Sequence, residues 1–234
     1  MSSGITIDAK ELEEKIIKHL DKVLNEAVLK SAAQLTPIIK GIVKPALLQS
    51  SELKALSGGD LIGEFGLDRA VAAGVAAEVA ERVADTVEVK SIKVSLKHNK
   101  GGLLLTIQPN NLQNVLSISN GSYSYYSRRY KTTVKIDWLD WLLTKGDAII
   151  VAKFHFEEIS GAGRSGQGKM LKGQSWRVRP EYSGTMGDNL ITRALSEKNV
   201  IDNIKLQAKN LNAKILTTEK DYVKLDLNMS KNIE

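Results

Sequence analysis

The hydrophobic period of this chain changes near Val87, and that change limits the folds open to it. Upstream, apolar residues recur at helical spacing. Downstream, Val87, Val89, Ile92, Val94 and Leu96 alternate as a strand does, and the turn residues His98-Asn99-Lys100-Gly101-Gly102 return the chain into a second strand at 103–107. Helices first and strands after predict an α+β fold, with N-terminal helices followed by a mostly antiparallel sheet carrying short packed helices. The expected organisation is a helical region over 1–85, a β-rich region with a glycine-rich loop over 86–196, and a Lys/Asn-rich tail over 197–234.

The first helix is the longest expected element. Asp8 with Glu11 fits an acidic form of the capping box. Leu12, Ile16, Leu20, Val23, Leu24, Ala27 and Leu35 then follow at helical spacing, and Pro37 is expected to close the helix at about residue 35. The other face is Lys and Glu, so the apolar face of Leu12, Ile16 and Leu20 needs a partner surface, in its own domain or on a neighbouring subunit. Short helices are expected at 50–56, 68–83, 137–143 and 188–195, the last capped by Asp188, with strands at 148–156 and 175–179.

Between those last two strands, 158–174 is a glycine-rich loop that imitates a phosphate cradle. Gly161 to Gly166 matches GxGxxG, and Gly163 to Lys169 matches GxxxxGK. A P-loop needs Ser or Thr after the lysine to ligate magnesium, and here Met170 stands there. It also needs a following helix whose N-terminus faces the phosphate, and Met170-Leu171-Lys172-Gly173-Gln174 is too short and glycine-broken for one. The expectation is therefore no nucleotide, no cofactor and no catalytic centre, with Arg164 and Lys169 on a flexible loop that orders against an acidic protein patch or a nucleic-acid backbone. His19, His98 and His155 show no metal-ligand spacing, and the chain has no cysteine, so neither a metal site nor a cysteine nucleophile is expected. His155 and Glu157 share one strand face as a surface pair.

Two further groups look outward. Tyr123, Tyr125, Tyr126 and Tyr130 alternate with serines around Arg128 and Arg129. That mixture suits a protein interface, which favours Tyr and Arg, and equally the stacking of single-stranded bases; a nucleic-acid-binding protein using this segment and the basic loop is the alternative function. Trp176, beside Arg177 and Arg179, is expected to anchor a subunit contact, while Trp138 and Trp141 lie three apart on one helical face and suit a core. The net charge of +6 tolerates DNA nearby without requiring it. No apolar run reaches the ~20 residues of a membrane span, and the polar, acidic start MSSGITIDAKELEEK does not read as a secretory signal.

The run WLDWLLTKGDAIIV, then GRSGQGKM, then SWRVRPEYSGTMGDNLITRAL resembles the C-terminal half of bacteriophage neck or tail-completion proteins. In those a tryptophan-rich short helix leads to a strand, a glycine- and serine-rich segment, a Trp-Arg-Val strand with a proline, and a closing helix. The run SSELKALSGGDLIGEFGLD is similar to their short helix leading into a Gly-Glu-Phe-Gly-Leu turn. The resemblance implies a virion protein, assembled in the host cytoplasm, that forms a homo-oligomeric ring at the neck or tail end. Its implied partners are copies of itself and other neck, portal-adaptor or tail-tube proteins, with no membrane and no catalytic residues; packaged DNA is a further partner that the resemblance allows and does not require. The segment from Asn210 to Lys224 resembles the C-terminal segment of bacterial lipid A 4′-kinases. No activity follows from it, because that family's nucleotide-binding motif is missing here.

Overall fold

The computed structural model describes residues 8–108, 112–127, 131–210, 215–218 and 224–227, the last two stretches as backbone only. The fold is α+β, and every strand pairing among these residues is antiparallel. In chain order the elements are α1 (Ala9–Leu48), α2 (Ser51–Gly58), α3 (Leu61–Phe65), α4 (Arg69–Asp85), β1 (Glu88–Ser95), β2 (Lys100–Thr106), α5 (Gln113–Leu116), β3 (Tyr123–Ser127), β4 (Thr132–Ile136), α6 (Trp138–Thr144), β5 (Phe154–Glu158), β6 (Gly168–Lys172), α7 (Leu190–Ser196), α8 (Lys198–Asn210), β7 (Ile215–Thr218) and β8 (Lys224–Leu227).

The chain divides into two compact units that interleave in sequence. One comprises Met1–Ile39, Val87–Thr106 and Asn203–Glu234; the other comprises Lys40–Thr86 and Ile107–Asp202. The consecutive three-region division drawn from composition does not follow these boundaries. A helix first and a hairpin later in the chain contribute to the same unit, and composition along the chain cannot show that.

The helix α1 runs through Pro37 and Pro45 and does not stop at residue 35. Each interior proline costs about 3 kcal/mol in a helix through a lost hydrogen bond and a clash with the carbonyl four residues back. Here both prolines are exposed, as are Ala33 and Gly41, which carry the carbonyls concerned. Solvent-side carbonyls can tilt outward towards water. On the opposite face Val28, Ala32, Leu35, Ile39, Val43 and Leu47 are buried in unbroken helical register. Each large aliphatic on that stripe contributes about 1.5–3 kcal/mol, so burial outweighs the proline penalty. At the start, the Asp8 carboxylate accepts from the Lys10 and Glu11 backbone N–H groups at 2.9 and 3.3 Å, as the capping pattern predicts. Glu11 does not reach back; it pairs with Lys15 at 2.7 Å.

In the first unit β1 and β2 form the expected hairpin, and β2 pairs on its other side with β8, giving the order β1-β2-β8-β7. The β1–β2 register shifts between Ile92 and Ser95. At that irregularity Val94 turns both its backbone groups to α1: the Asn25 side-chain amide accepts from Val94 N–H at 2.8 Å and donates to Val94 C=O at 3.0 Å. Asp21 accepts from Leu96 N–H at 2.8 Å. A carboxamide thus does the work of a neighbouring strand. Asn25→Ala is expected to lose about 1–3 kcal/mol, because two backbone groups of a buried residue lose their partners. Asn25→Asp should be nearly as damaging, since a carboxylate oxygen then faces the Val94 carbonyl. Urea denaturation of the two variants checks this.

The second unit gathers its core from Leu53 and Leu56 of α2, Phe65 of α3, Val75, Val79 and Val83 of α4, Trp138 and Leu142 of α6, and Leu190 and Ile191 of α7. Several local expectations change here. Of the strand expected over 148–156, only the part from Phe154 pairs as β5; Val151 makes an isolated bridge to Trp176, and that bridge is all that remains of the strand expected at 175–179. Strand β6 occupies part of the expected glycine-rich loop. Asn189, and not Asp188, caps α7: its side chain accepts from Ile191 and Thr192 N–H, and Thr192 Oγ1 accepts from Asn189 N–H at 2.9 Å. The expected tail begins as helix α8, which buries Val200, Ile204 and Ala208.

Candidate functional site

The best-defined polar constellation surrounds the turn Gly63-Glu64-Phe65-Gly66-Leu67 in the second unit. Helix α3 ends at Gly66, which has φ +63, and Leu67 N–H donates back to Ile62 C=O at 2.9 Å. That left-handed position suits glycine. A Cβ there would also come to 3.0 Å from the Arg164 guanidinium, so a larger residue would push on the tip of that side chain as well as strain the backbone.

Three distant segments close on this turn. Tyr123 of β3 donates its hydroxyl to Phe65 C=O at 3.0 Å. Arg164, from the β5–β6 loop, lays its guanidinium 3.6 Å from the centre of the Tyr123 ring and donates from Nε to Gly66 C=O at 2.9 Å. Arg179 pairs with Glu64 and, at 2.7 Å, with Asp60. Around them Phe65 packs against Trp138 and Trp176, with ring centres 5.6 and 5.9 Å apart, and Trp141 meets Trp176 edge-on at 6.1 Å. Trp138 is fully buried, and its indole N–H donates to Asn120 C=O at 3.0 Å.

Glu64 is the electrostatic centre of this arrangement. Its side chain is 3% exposed, and Oε2 has no hydrogen-bond partner among the described residues. Burial pushes its pKa above the usual carboxylate value. The charge and hydrogen bond of Arg179 and the Trp176 indole oppose that rise without cancelling it, and Asp60 adds to it. A second buried ion pair, Glu52 with Arg193 at 2.6 Å, ties α2 to α7, and Arg193 also donates to Ser183 C=O at 3.1–3.2 Å.

The glycine-rich loop is a hairpin closed on its own chain. Ile159 N–H donates to Gln167 C=O, Gly161 N–H to Gly166 C=O and Gly168 N–H to Ala162 C=O. Gly163 has φ +71, and a Cβ on it would overlap the Gly168 carbonyl. Lys169 and Met170 continue into strand β6, where a phosphate cradle would begin a helix. The loop's glycines serve a tight hairpin, and Arg164 is the residue that fastens it to the turn.

The residues expected to face partners fall into distinct places. Leu12, Ile16 and Leu20 are 48, 49 and 42% exposed, along one face of α1. Tyr125 is exposed on β3 together with Tyr126. Arg128 and Arg129 lie outside the described residues. Arg164 is exposed yet engaged by Tyr123 and Gly66, and Lys169 is exposed on β6. Arg177 is half exposed, with Asp147 at 3.9 Å. Trp176, expected to anchor a subunit contact, is instead buried between Phe65 and Trp141 and belongs to the interior. The surface pair of His155 and Glu157 forms at 3.8 Å. Sequence reading missed Glu52 and Glu64 altogether. The signal was there in part for Glu64, the one acidic residue in the otherwise apolar run Leu61-Ile62-Gly63-Glu64-Phe65; Glu52 shares its helix with Lys54 and two serines and carries no such signal.

No group of three or more acidic or histidine side chains among the described residues is arranged to hold a metal ion, and no described helix is long and apolar enough to cross a membrane. Comparison with protein-family models, curated proteins and solved structures gave no match.

Proposed function

We propose that this chain is a structural protein of a tailed bacteriophage, acting by assembly into a homo-oligomeric ring at the neck or tail end that completes the tail and joins it to the head. The observation that carries this reading is the way the resembling segments meet. The run at 50–68 and the run at 138–195 are far apart in sequence, yet Glu52 bonds Arg193, Glu64 bonds Arg179, and Gly66 bonds Arg164. The resemblance to neck and tail-completion proteins therefore covers residues that build one compact unit together. Outward-facing groups supply surfaces for such an assembly: the apolar face of α1, and Tyr125 and Tyr126 on β3. Aromatic residues exposed on a hairpin and aliphatic ones along a helix are common anchors of subunit contacts.

The test uses purified protein with heads and with tail tubes of the phage that encodes it. Negative-stain microscopy and mass photometry should show the protein added as a ring at the end of one of the two particles. A protein that joins neither particle sinks the reading.

A further inference from the structure

The N-terminal half of α1 carries an exposed apolar face. An α-helix advances 100° per residue, so Leu12, Ile16, Leu20, Val23 and Ala27 fall within an arc of about 80°. All five are exposed. The buried set of the same helix in this unit, Val28, Ala32, Leu35 and Ile39, lies about 130° further round. The helix is thus apolar on two faces, and only one is covered by the described residues.

The stripe reads almost the same in both directions. Reversed about a point between His19 and Leu20, Leu12 takes the place of Ala27 and Ile16 that of Val23, while Leu20 falls beside the centre. Charges along one flank reverse in sign under the same operation. Asp8 falls next to Lys30, and Lys15, which within its own helix pairs with Glu11 at 2.7 Å, falls two residues from Glu26. Lys22 falls equally near Lys15 along the axis, but it lies about 120° from the centre of the stripe, where Glu26 lies about 80° from it. A two-fold axis across antiparallel helices brings each flank against its own copy, so this flank is complementary to itself.

From this geometry we infer that α1 pairs with α1 of a second copy, antiparallel about a two-fold axis near Leu20, and that the free protein is a reversible dimer. The surface is small. Four half-exposed aliphatic side chains along about 20 Å of helix fall short of the ~800 Å² per partner of a standard interface, so the association is concentration-dependent. Such an isologous contact closes on itself and stores the apolar face until other contacts replace it. It goes beyond the ring reading and does not depend on it.

Sedimentation of the full chain alone, from about 5 to about 300 μM, tests the pairing. The wild type should move from monomer towards dimer across that range, and Ile16→Lys should stay monomeric with an unchanged circular dichroism spectrum. Lys15→Glu and Glu26→Lys should each weaken the dimer about three- to tenfold, because each places like charges opposite one another twice per dimer. The Lys15→Glu/Glu26→Lys double variant should return to within about twofold of wild type. A wild type that is monomeric throughout, a dimer that survives Ile16→Lys, or a double variant as weak as its parents overturns the inference. Ring formation is read on particles and dimerisation on the protein alone, so either can fail without the other.

Discussion

Replacing Arg193 with methionine should destabilise the second unit by about 3–5 kcal/mol, the usual penalty for removing one partner of a buried ion pair. Arg193 is itself one-third exposed, but the group it leaves behind is not: the Glu52 side chain is 4% exposed. Without Arg193 that carboxylate keeps, among the described residues, only the Ser51 hydroxyl, at 2.9 Å, and Ser183 C=O loses both guanidinium donors. Uncompensated charge in a low-dielectric interior is the costly element. The pair is no great source of stability in itself, and Arg193 Nε is buried without a partner among the described residues. The Glu52→Leu/Arg193→Met double variant, which removes both charges and keeps volume and apolar character, should therefore recover most of the loss. Urea denaturation followed by circular dichroism measures both variants. A double variant as unstable as Arg193→Met would mean that lost packing or the Ser183 contact sets the penalty, and not the stranded carboxylate.

The α+β class and the helices α2, α4, α6 and α7 were legible because each rests on a local signal. Ser50 accepts from Leu53 N–H, and Asp68 accepts from Ala70 and Val71 N–H, so each caps the helix expected to start at it. The β1–β2 hairpin follows from period two on either side of Gly101-Gly102. What the sequence hid is non-local. Pro37 reads as a stop because propensity sees the missing N–H and not the buried face opposite. Asn25 is an unremarkable polar residue on a helix until the register shift in β1 gives it two backbone groups to satisfy.

The candidate site shows the same limit from the other side. The glycine-rich loop announced itself through a motif, and Met170 was enough to question that motif. That Arg164 would reach the Gly66 carbonyl and the Tyr123 ring depends on a contact between residues 98 apart in the chain. Trp176 reads as an interface residue because two arginines neighbour it, yet a strand bridge to Val151 turns it inward while Arg177 keeps outward exposure. Period-two alternation separates such neighbours, but a single isolated bridge is too short to show that alternation in sequence.

Arg179→Met should be the variant whose effect depends on pH. Arg179 holds its guanidinium against Glu64, Asp60 and, at 3.9 Å, Glu158, and of these only Glu64 is buried. In the wild type, burial already raises the Glu64 pKa above the ordinary value of 4.5. A carboxyl raised on folding binds its proton more tightly in the native state. Its contribution is fully present below the unfolded value and is lost as pH rises through the folded value. Removing Arg179 takes away the strongest influence opposing the rise, so the folded pKa climbs further and the loss at high pH deepens. At neutral pH Arg179→Met should cost about 3 kcal/mol. The difference from wild type should shrink steadily as pH falls towards 4.5, because a protonated Glu64 no longer strands a charge. In a Glu64→Gln background the Arg179→Met effect should be smaller and nearly flat with pH, since the amide cannot ionise. Urea midpoints of the four proteins across that range decide the matter: an Arg179→Met penalty that is the same at both ends would show that Glu64 stays charged throughout, and that its burial is offset by groups other than Arg179.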